Sequence, residues 1–249
     1  MITFIDANCM IGPRQHVREG ALKSTPEFVH LMDELGISQA IAYHSASKEA
    51  DPKLGNELLF EETKGYSKFI FQWGVMPDIW DGFYKSEELS KKMKKNDIRC
   101  VRLFPKTCGY SLEPYVSEEL LTFLTNHKIP VFIDRSEFNT WNELYELCTS
   151  YSNGIFILCD TSYDCLRQLV PIMEQCQNLF IETSTLFMHQ SIRDFCFHFG
   201  AERLVFGSSA PIHSMAAAVS LIRYSDISQR EKEMIASRNI ERLLKEVLL

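Results

Sequence analysis

Eight short apolar runs, each followed by a stretch of helical spacing, constrain this 249-residue chain more than any other feature. The runs occupy 2–5, 39–43, 69–75, 100–104, 131–133, 155–159, 179–183 and 204–206. Their length suits strands, and their lack of a polar face marks strands covered on both sides, as in a parallel sheet. The segments 26–35, 54–65, 86–95, 117–126, 140–151, 163–175 and 191–199 repeat apolar residues at helical intervals, and 214–223 and 228–248 add a further helix and a helical tail. Punctuation agrees with this division: Thr25 precedes Pro26, Glu118 and Glu119 follow Ser117 where a helix dipole favours acidic groups, and Gly36 and Gly65 stop their helices. Eight strands alternating with helices in a chain of about 250 residues describe an α/β fold, a single (β/α)8 TIM barrel, occupying 1–249 as one domain with a C-terminal helical tail.

An open doubly wound sheet should carry a glycine-rich phosphate turn after an early strand, and the turn here reads "NCMIGP". The composition, 45% hydrophobic and 24% charged, suits a chain that buries a sizeable core. The net charge of −7 and the absence of a basic stripe beyond Lys91, Lys92, Lys94 and Lys95 argue against nucleic acid as a partner. No run reaches the length of a membrane span and the chain enters a strand at once, so the expectation is a cytoplasmic protein without a membrane partner. Eight cysteines without a CxxC pair, several inside apolar runs, are read as reduced buried thiols.

In a barrel of this kind reactive groups sit at the C-terminal ends of the strands. The polar residues closing the runs are Asp6 and Asn8, Tyr43 and His44, Trp73, Arg102, Asp134 and Arg135, Asp160, Glu182 and Thr183, and Ser208 and Ser209. Asp134 and Asp160 end neighbouring strands, so they form either a general acid and base or two structural carboxylates paired with Arg102, Arg135 or backbone amides. Two-residue alternation points Arg102 the same way as Cys100 and Phe104, where its guanidinium can grip a substrate carboxylate or neutralise the aspartates. His44 is a base or a hydrogen-bonded structural residue, as are His16 and His213, and Trp73 and Tyr43 stack on a substrate or pack. Ser208 and Ser209 lack an evident histidine relay.

Four segments, "FIDANCMIG", "IPVFIDRS", "GIFILCDTS" and "RLVFGSSAP", resemble in order and spacing the strand ends of amidohydrolase-related proteins in the metal-dependent hydrolase superfamily. "CVRLFP" and the closing "SRNIERLL" are similar to the family's fourth strand and last helix. The resemblance implies a barrel with histidines on the first, fifth and sixth strands and an aspartate on the eighth, all binding metal. This chain has Asn8 and Met10, Asp134, Asp160 and Ser209 at those places.

Zinc favours imidazole and thiolate, so no zinc and no other cofactor is expected, the alternative being Mg²⁺ or Ca²⁺ in an oxygen cage at Asp134 and Asp160. The resulting expectation is an amidohydrolase-like protein acting on a small polar, carboxylated molecule. Asp134 and Asp160 would perform metal-free acid/base hydrolysis or lactone opening, with Arg102, Asn8, Trp73, His44 and Ser209 binding substrate. The alternative is a pseudoenzyme that binds a ligand or regulates a partner. A homodimer is the default assembly for such barrels.

Overall fold

The computed structural model describes residues 2–14, 22 and 24–249. His16 lies outside the described residues. Eight strands, β1 (Phe4–Ile11), β2 (Ile37–His44), β3 (Phe69–Val75), β4 (Cys100–Leu103), β5 (Pro130–Asp134), β6 (Ile155–Cys159), β7 (Leu179–Glu182) and β8 (Leu204–Val205), pair in sequence order, all parallel. The barrel closes where Ala7 N donates to Phe206 O at 2.9 Å and Met10 N to Ala210 O at 2.8 Å. The first strand starts two residues later than its apolar run and extends to Ile11, because the pairing with β2 carries it through the polar positions.

The helices are α1 (Thr25–Leu35), α2 (Ala46–Glu49), α3 (Pro52–Glu62), α4 (Ser86–Lys95), α5 (Pro114–Asn126), α6 (Trp141–Ser150), α7 (Leu166–Gln175), α8 (Ser191–Phe199), α9 (Met215–Arg223), α10 (Gln229–Glu233) and α11 (Asn239–Lys245). Ser24 caps α1 through Glu27 N, Asp51 caps α3 through Leu54 N, and proline opens both helices. Gly36, at φ 75°, ends α1 in the left-handed region that a side chain disfavours. None of the described helices is long and apolar enough to cross a membrane.

Three apolar groups define the interior. The largest lies between the sheet and the surrounding helices, built on outward residues such as Phe4, Val101, Leu103, Ile133, Leu158 and Ile181. Inside the barrel, Ile5, Ile41, Cys100, Phe132, Ile157, Phe180 and Val205 fill its lower half, and α11 plugs the bottom with Ile240, Leu243 and Leu244. At the mouth Met10, Tyr43 and Phe104 form a third group against Cys108 and Ile212. A polar layer is therefore enclosed between two apolar ones.

A register shift in β1 helps build that layer. Between Asp6 and Cys9 the strand carries one residue more than its partner, so Ala7 joins the lower apolar group while the next residue, Asn8, faces the polar layer. Leu243 is the centre of the bottom plug and is fully buried. Its replacement by Ala should lower the unfolding free energy by about 2–5 kcal/mol in a denaturant titration, with the slope unchanged.

Candidate functional site

Arg102 stands at the centre of the polar layer, 1% exposed. One guanidinium nitrogen, Nη1, donates to Asn8 Oδ1 at 2.9 Å and to Gln72 Oε1 at 3.3 Å, while Nη2 pairs with Asp134 Oδ1. The guanidinium carbon lies 4.6 Å from the centre of the Tyr43 ring, so an aromatic face covers the cation from β2. Lys48, from α2, brings a second cation to Asp134 Oδ2 at 3.0 Å and also reaches Glu137 Oε1 at 3.2 Å. Glu137 in turn accepts from the backbone and side chain of Thr107 at 2.9 and 2.7 Å.

The electrostatic consequences follow from burial set against pairing. Burial by itself pushes the Asp134 carboxyl up, but Arg102 and Lys48 outweigh it and hold the group below the usual carboxylate range. Asp134 is thus an ionised anchor rather than a proton donor near neutral pH. Across the layer Glu182, on β7, accepts from Asn8 Nδ2 at 2.7 Å, from Ser184 Oγ at 2.8 Å and from Ser184 N. Those donors favour the anion, yet desolvation wins and the carboxyl is pushed up to about 7. Asp6, wholly buried beneath the β8 turn, is raised in the same direction by burial even though it accepts from Ser208 N at 2.9 Å.

Asn8, Arg102 and Asp134 are brought together as neighbours. Asp160 is not joined to them: β6 ends on Cys159, which is the residue in register with Asp134, and Asp160 follows it in an exposed left-handed turn at φ 58°. Partial burial and the charge of Asp134 raise its carboxyl above the ordinary value. The inward position on β6 is therefore a buried thiol, and the Asp134–Asp160 couple is corrected to a carboxylate within the layer and another on the rim. Ser209 sits in the turn after β8 at φ 55°, its carbonyl accepting from Ile212 N and His213 N at 2.9 and 3.2 Å.

Two further positions need correction. Trp73 points out of the barrel, since its neighbour Gln72 is the one bonded to Arg102, and its ring packs edge-on against Phe60 of α3 at 6.2 Å. His44 also points outward, because Tyr43 takes the inward place at the end of β2. Its Nδ1 accepts from Ala46 N at 3.0 Å, so in the neutral ring Nε2 carries the proton and donates to Glu62 Oε1 at 3.1 Å. A Cβ on Gly12 would lie 2.3 Å from this ring, which explains the glycine there, at φ 95°. His44 is thus a structural link between β2 and α3. Sequence reasoning had noted Glu182 as a strand end but gave it no role, and it passed over Lys48, Gln72 and Glu137. The alternation Phe180 to Glu182 was the available signal for the first, whereas Lys48 and Glu137 come from turns that periodicity does not orient.

Among the described residues no group of three or more His, Cys, Asp and Glu side chains is arranged to hold a metal ion. A family model described as Amidohydrolase matches residues 39–245. A search of curated proteins returns no match. Among solved structures the chain is similar to 5-carboxyvanillate decarboxylase from Novosphingobium aromaticivorans with bound manganese, at 13% identity, a TM-score of 0.77, and 98% and 97% of the two chains covered. It is similar to 2,6-dihydroxybenzoate decarboxylase from Rhizobium at 15% identity and a TM-score of 0.74, covering 98% and 99%. An uncharacterized TIM-barrel protein from Bordetella bronchiseptica aligns at 15% identity with a TM-score of 0.75, over 98% and 99%. At these identities the likeness is one of fold.

Two outcomes test this layer. Arg102→Met keeps much of the stem but strands Asp134 and Asn8 in a buried site, and should destabilise by about 3–5 kcal/mol in chemical denaturation. Adding Asp134→Asn should recover part of that loss, because one stranded charge goes with it. For Glu182 the folded carboxyl titrates at about 7 against an ordinary 4.5, so the folded state holds this proton more tightly. Its stabilising contribution is present in full below about 4.5, declines as pH rises, and is gone above about 7, a change of about 3 kcal/mol. Unfolding measured from pH 4.5 to 8 should show this fall in the native protein and a shallower one in Glu182→Gln, with Asp6 supplying the remainder.

Proposed function

The chain belongs to the amidohydrolase family, and on that premise we propose that it is a ligand-binding barrel in which a buried arginine has taken the place of the family's divalent cation. The observation that carries this reading is the enclosure of Arg102: the guanidinium is held by Asn8, Gln72 and Asp134 below a lid of Met10, Tyr43 and Phe104. The side chains present do not fit a divalent ion at that position. Asn8 and Met10 are neutral, Asp134 is already neutralised by two cations, and a fixed positive charge among the donors would repel another. Hydrolysis routed through Asp134 is disfavoured for the same reason, since a base that is committed to Arg102 and Lys48 has little proton affinity.

A polar cleft of about 580 Å³ opens beside the closed axis, lined by Lys48, Asp51, Pro52, Met76, Thr107 and Cys108. Lys48 has three N–H donors, and its bonds to Asp134 and Glu137 use two of them. The third gives a small molecule with a carboxylate or lactone carbonyl a point of attachment, with the Thr107 region beside it. The carboxylated aromatics named for two similar structures supply a sensible first panel. A second reading, metal-free acid/base turnover, is favoured by one feature: Glu182 can both hold and release a proton near neutral pH.

A thermal-shift screen with small aromatic and aliphatic carboxylates and lactones, followed by product analysis of every binder, separates these readings. Binding should raise the Tm, the shift should be lost in Lys48→Met, and no product should accumulate. Turnover abolished by Glu182→Gln would replace the binding reading with the enzymatic one, and a panel without any binder would overturn the ligand-binding assignment.

A further inference from the structure

The polar cleft beside the barrel axis carries more negative than positive charge. Its lining holds one basic side chain, Lys48, and two acidic ones, Glu49 and Asp51. Behind Lys48 stand the carboxylates to which it is already bonded, Asp134 and Glu137, and Arg102 offsets the first of them. Two cations therefore face four carboxylates, and neither Glu49 nor Asp51 has an ion-pair partner among the described residues. The Cys108 thiol, which also lines the cleft, senses the same balance. Burial pushes it up most, Glu137 and Asp51 add to this, and Lys48 opposes them with a smaller pull.

Hydrogen-bonding capacity is skewed in the same direction. The backbone N–H groups of Lys48 and Glu49 donate to Ser45 O, those of Ala50 and Asp51 to Ala46 O, and that of Cys108 to Phe104 O, while Pro52 has none. Thr107 gives its backbone N–H and its hydroxyl proton to Glu137 at 2.9 and 2.7 Å, so its oxygen has only lone pairs left to offer. Asp51 Oδ1 accepts from Leu54 N at 3.0 Å as the cap of α3, which leaves Oδ2 uncommitted. Against these acceptors stands the one N–H that Lys48 retains. A ligand bringing only a carboxylate would satisfy Lys48 but set its own charge against Glu49 and Asp51. A ligand that adds an ammonium supplies three donors and the missing positive charge at once.

We propose that this cleft selects zwitterions, small molecules whose carboxylate accepts from Lys48 and whose ammonium donates to Asp51, Glu49 and the Thr107 oxygen. The inference rests on Lys48 as the attachment point for a carboxylate, and it narrows the ligand class to amino acids and other amino carboxylates. Asp51 is half-buried and Glu49 exposed, so the stronger ammonium contact falls to Asp51. Met76, Pro52 and Cys108 give the spacer between the two charges an apolar wall. Dicarboxylates are disfavoured by the same charges that favour the ammonium.

The test is a calorimetric titration of the intact chain with matched probes. These are ω-amino carboxylates with aliphatic or phenyl spacers, the plain carboxylates and dicarboxylates of equal length, and the corresponding amines. The best-fitting amino carboxylate should bind about tenfold tighter than its plain counterpart, and tighter than the dicarboxylate and the amine. Asp51→Asn keeps a side-chain oxygen for the α3 cap and, combined with Glu49→Gln, removes both charges. In that double variant the amino carboxylate should weaken by about tenfold while the plain carboxylate tightens, a reversal that misfolding cannot produce. Plain carboxylates that bind as tightly as amino carboxylates, or dicarboxylates that bind tighter, would overturn the proposal and leave Lys48 as a carboxylate site. Amines that bind as tightly as amino carboxylates would overturn it from the other side, because Lys48 would then contribute nothing. No binding by any carboxylate, with or without an amine, would overturn both the proposal and the ligand-binding reading beneath it.

Discussion

The buried pair of Arg102 and Asp134 is the interaction around which the upper half of this barrel is organised. A guanidinium taken wholly out of water is tolerable only where its charge is met, and here Asp134, Asn8, Gln72 and the Tyr43 face meet the charge and the two terminal nitrogens, while Nε is left without a hydrogen-bond partner among the described residues. Each partner is constrained in turn. Asn8 faces two ways, accepting from Arg102 and donating to Glu182, so its amide orientation is fixed by its neighbours. Asp134 is held by a second cation, Lys48, which links the layer to α2 and to Glu137. Removing any one member leaves its partners exposed to the full cost of an unmade bond in a place water does not reach.

This arrangement gives the layer two different electrostatic halves. Around Asp134, two cations hold the carboxylate ionised. Around Glu182, burial outweighs three hydrogen-bond donors and the group retains its proton to near neutrality. The boundary between the halves is the Asn8 side chain. A layer of this kind keeps the barrel interior polar beneath the apolar group of Met10, Tyr43 and Phe104.

Much of the fold was legible in the sequence because fully covered strands leave a run of apolar residues and helices leave a different period. Segments 69–75, 86–95, 155–159 and 191–199 coincide with β3, α4, β6 and α8. The candidate site was legible on β1, β4 and β5, where Asn8, Arg102 and Asp134 converge. It failed where both faces of a strand are apolar, since alternation then does not say which face looks inward. Tyr43 rather than His44, Gln72 rather than Trp73, and Cys159 rather than Asp160 occupy the inward places. In each case the residue read as functional lies one position beyond the inward one, which reverses the direction of its side chain. Lys48 and Glu137 escaped because short turns, not strands, deliver them to Asp134 and Thr107.

Under the proposed function a guanidinium, not a divalent cation, supplies the positive charge at the head of this barrel. Anomalous diffraction from crystals grown with excess manganese addresses it directly. The expected result is no anomalous peak inside the barrel mouth and density for Arg102 bridging Asn8 and Asp134. A manganese peak between those two residues, with the guanidinium displaced, would contradict it.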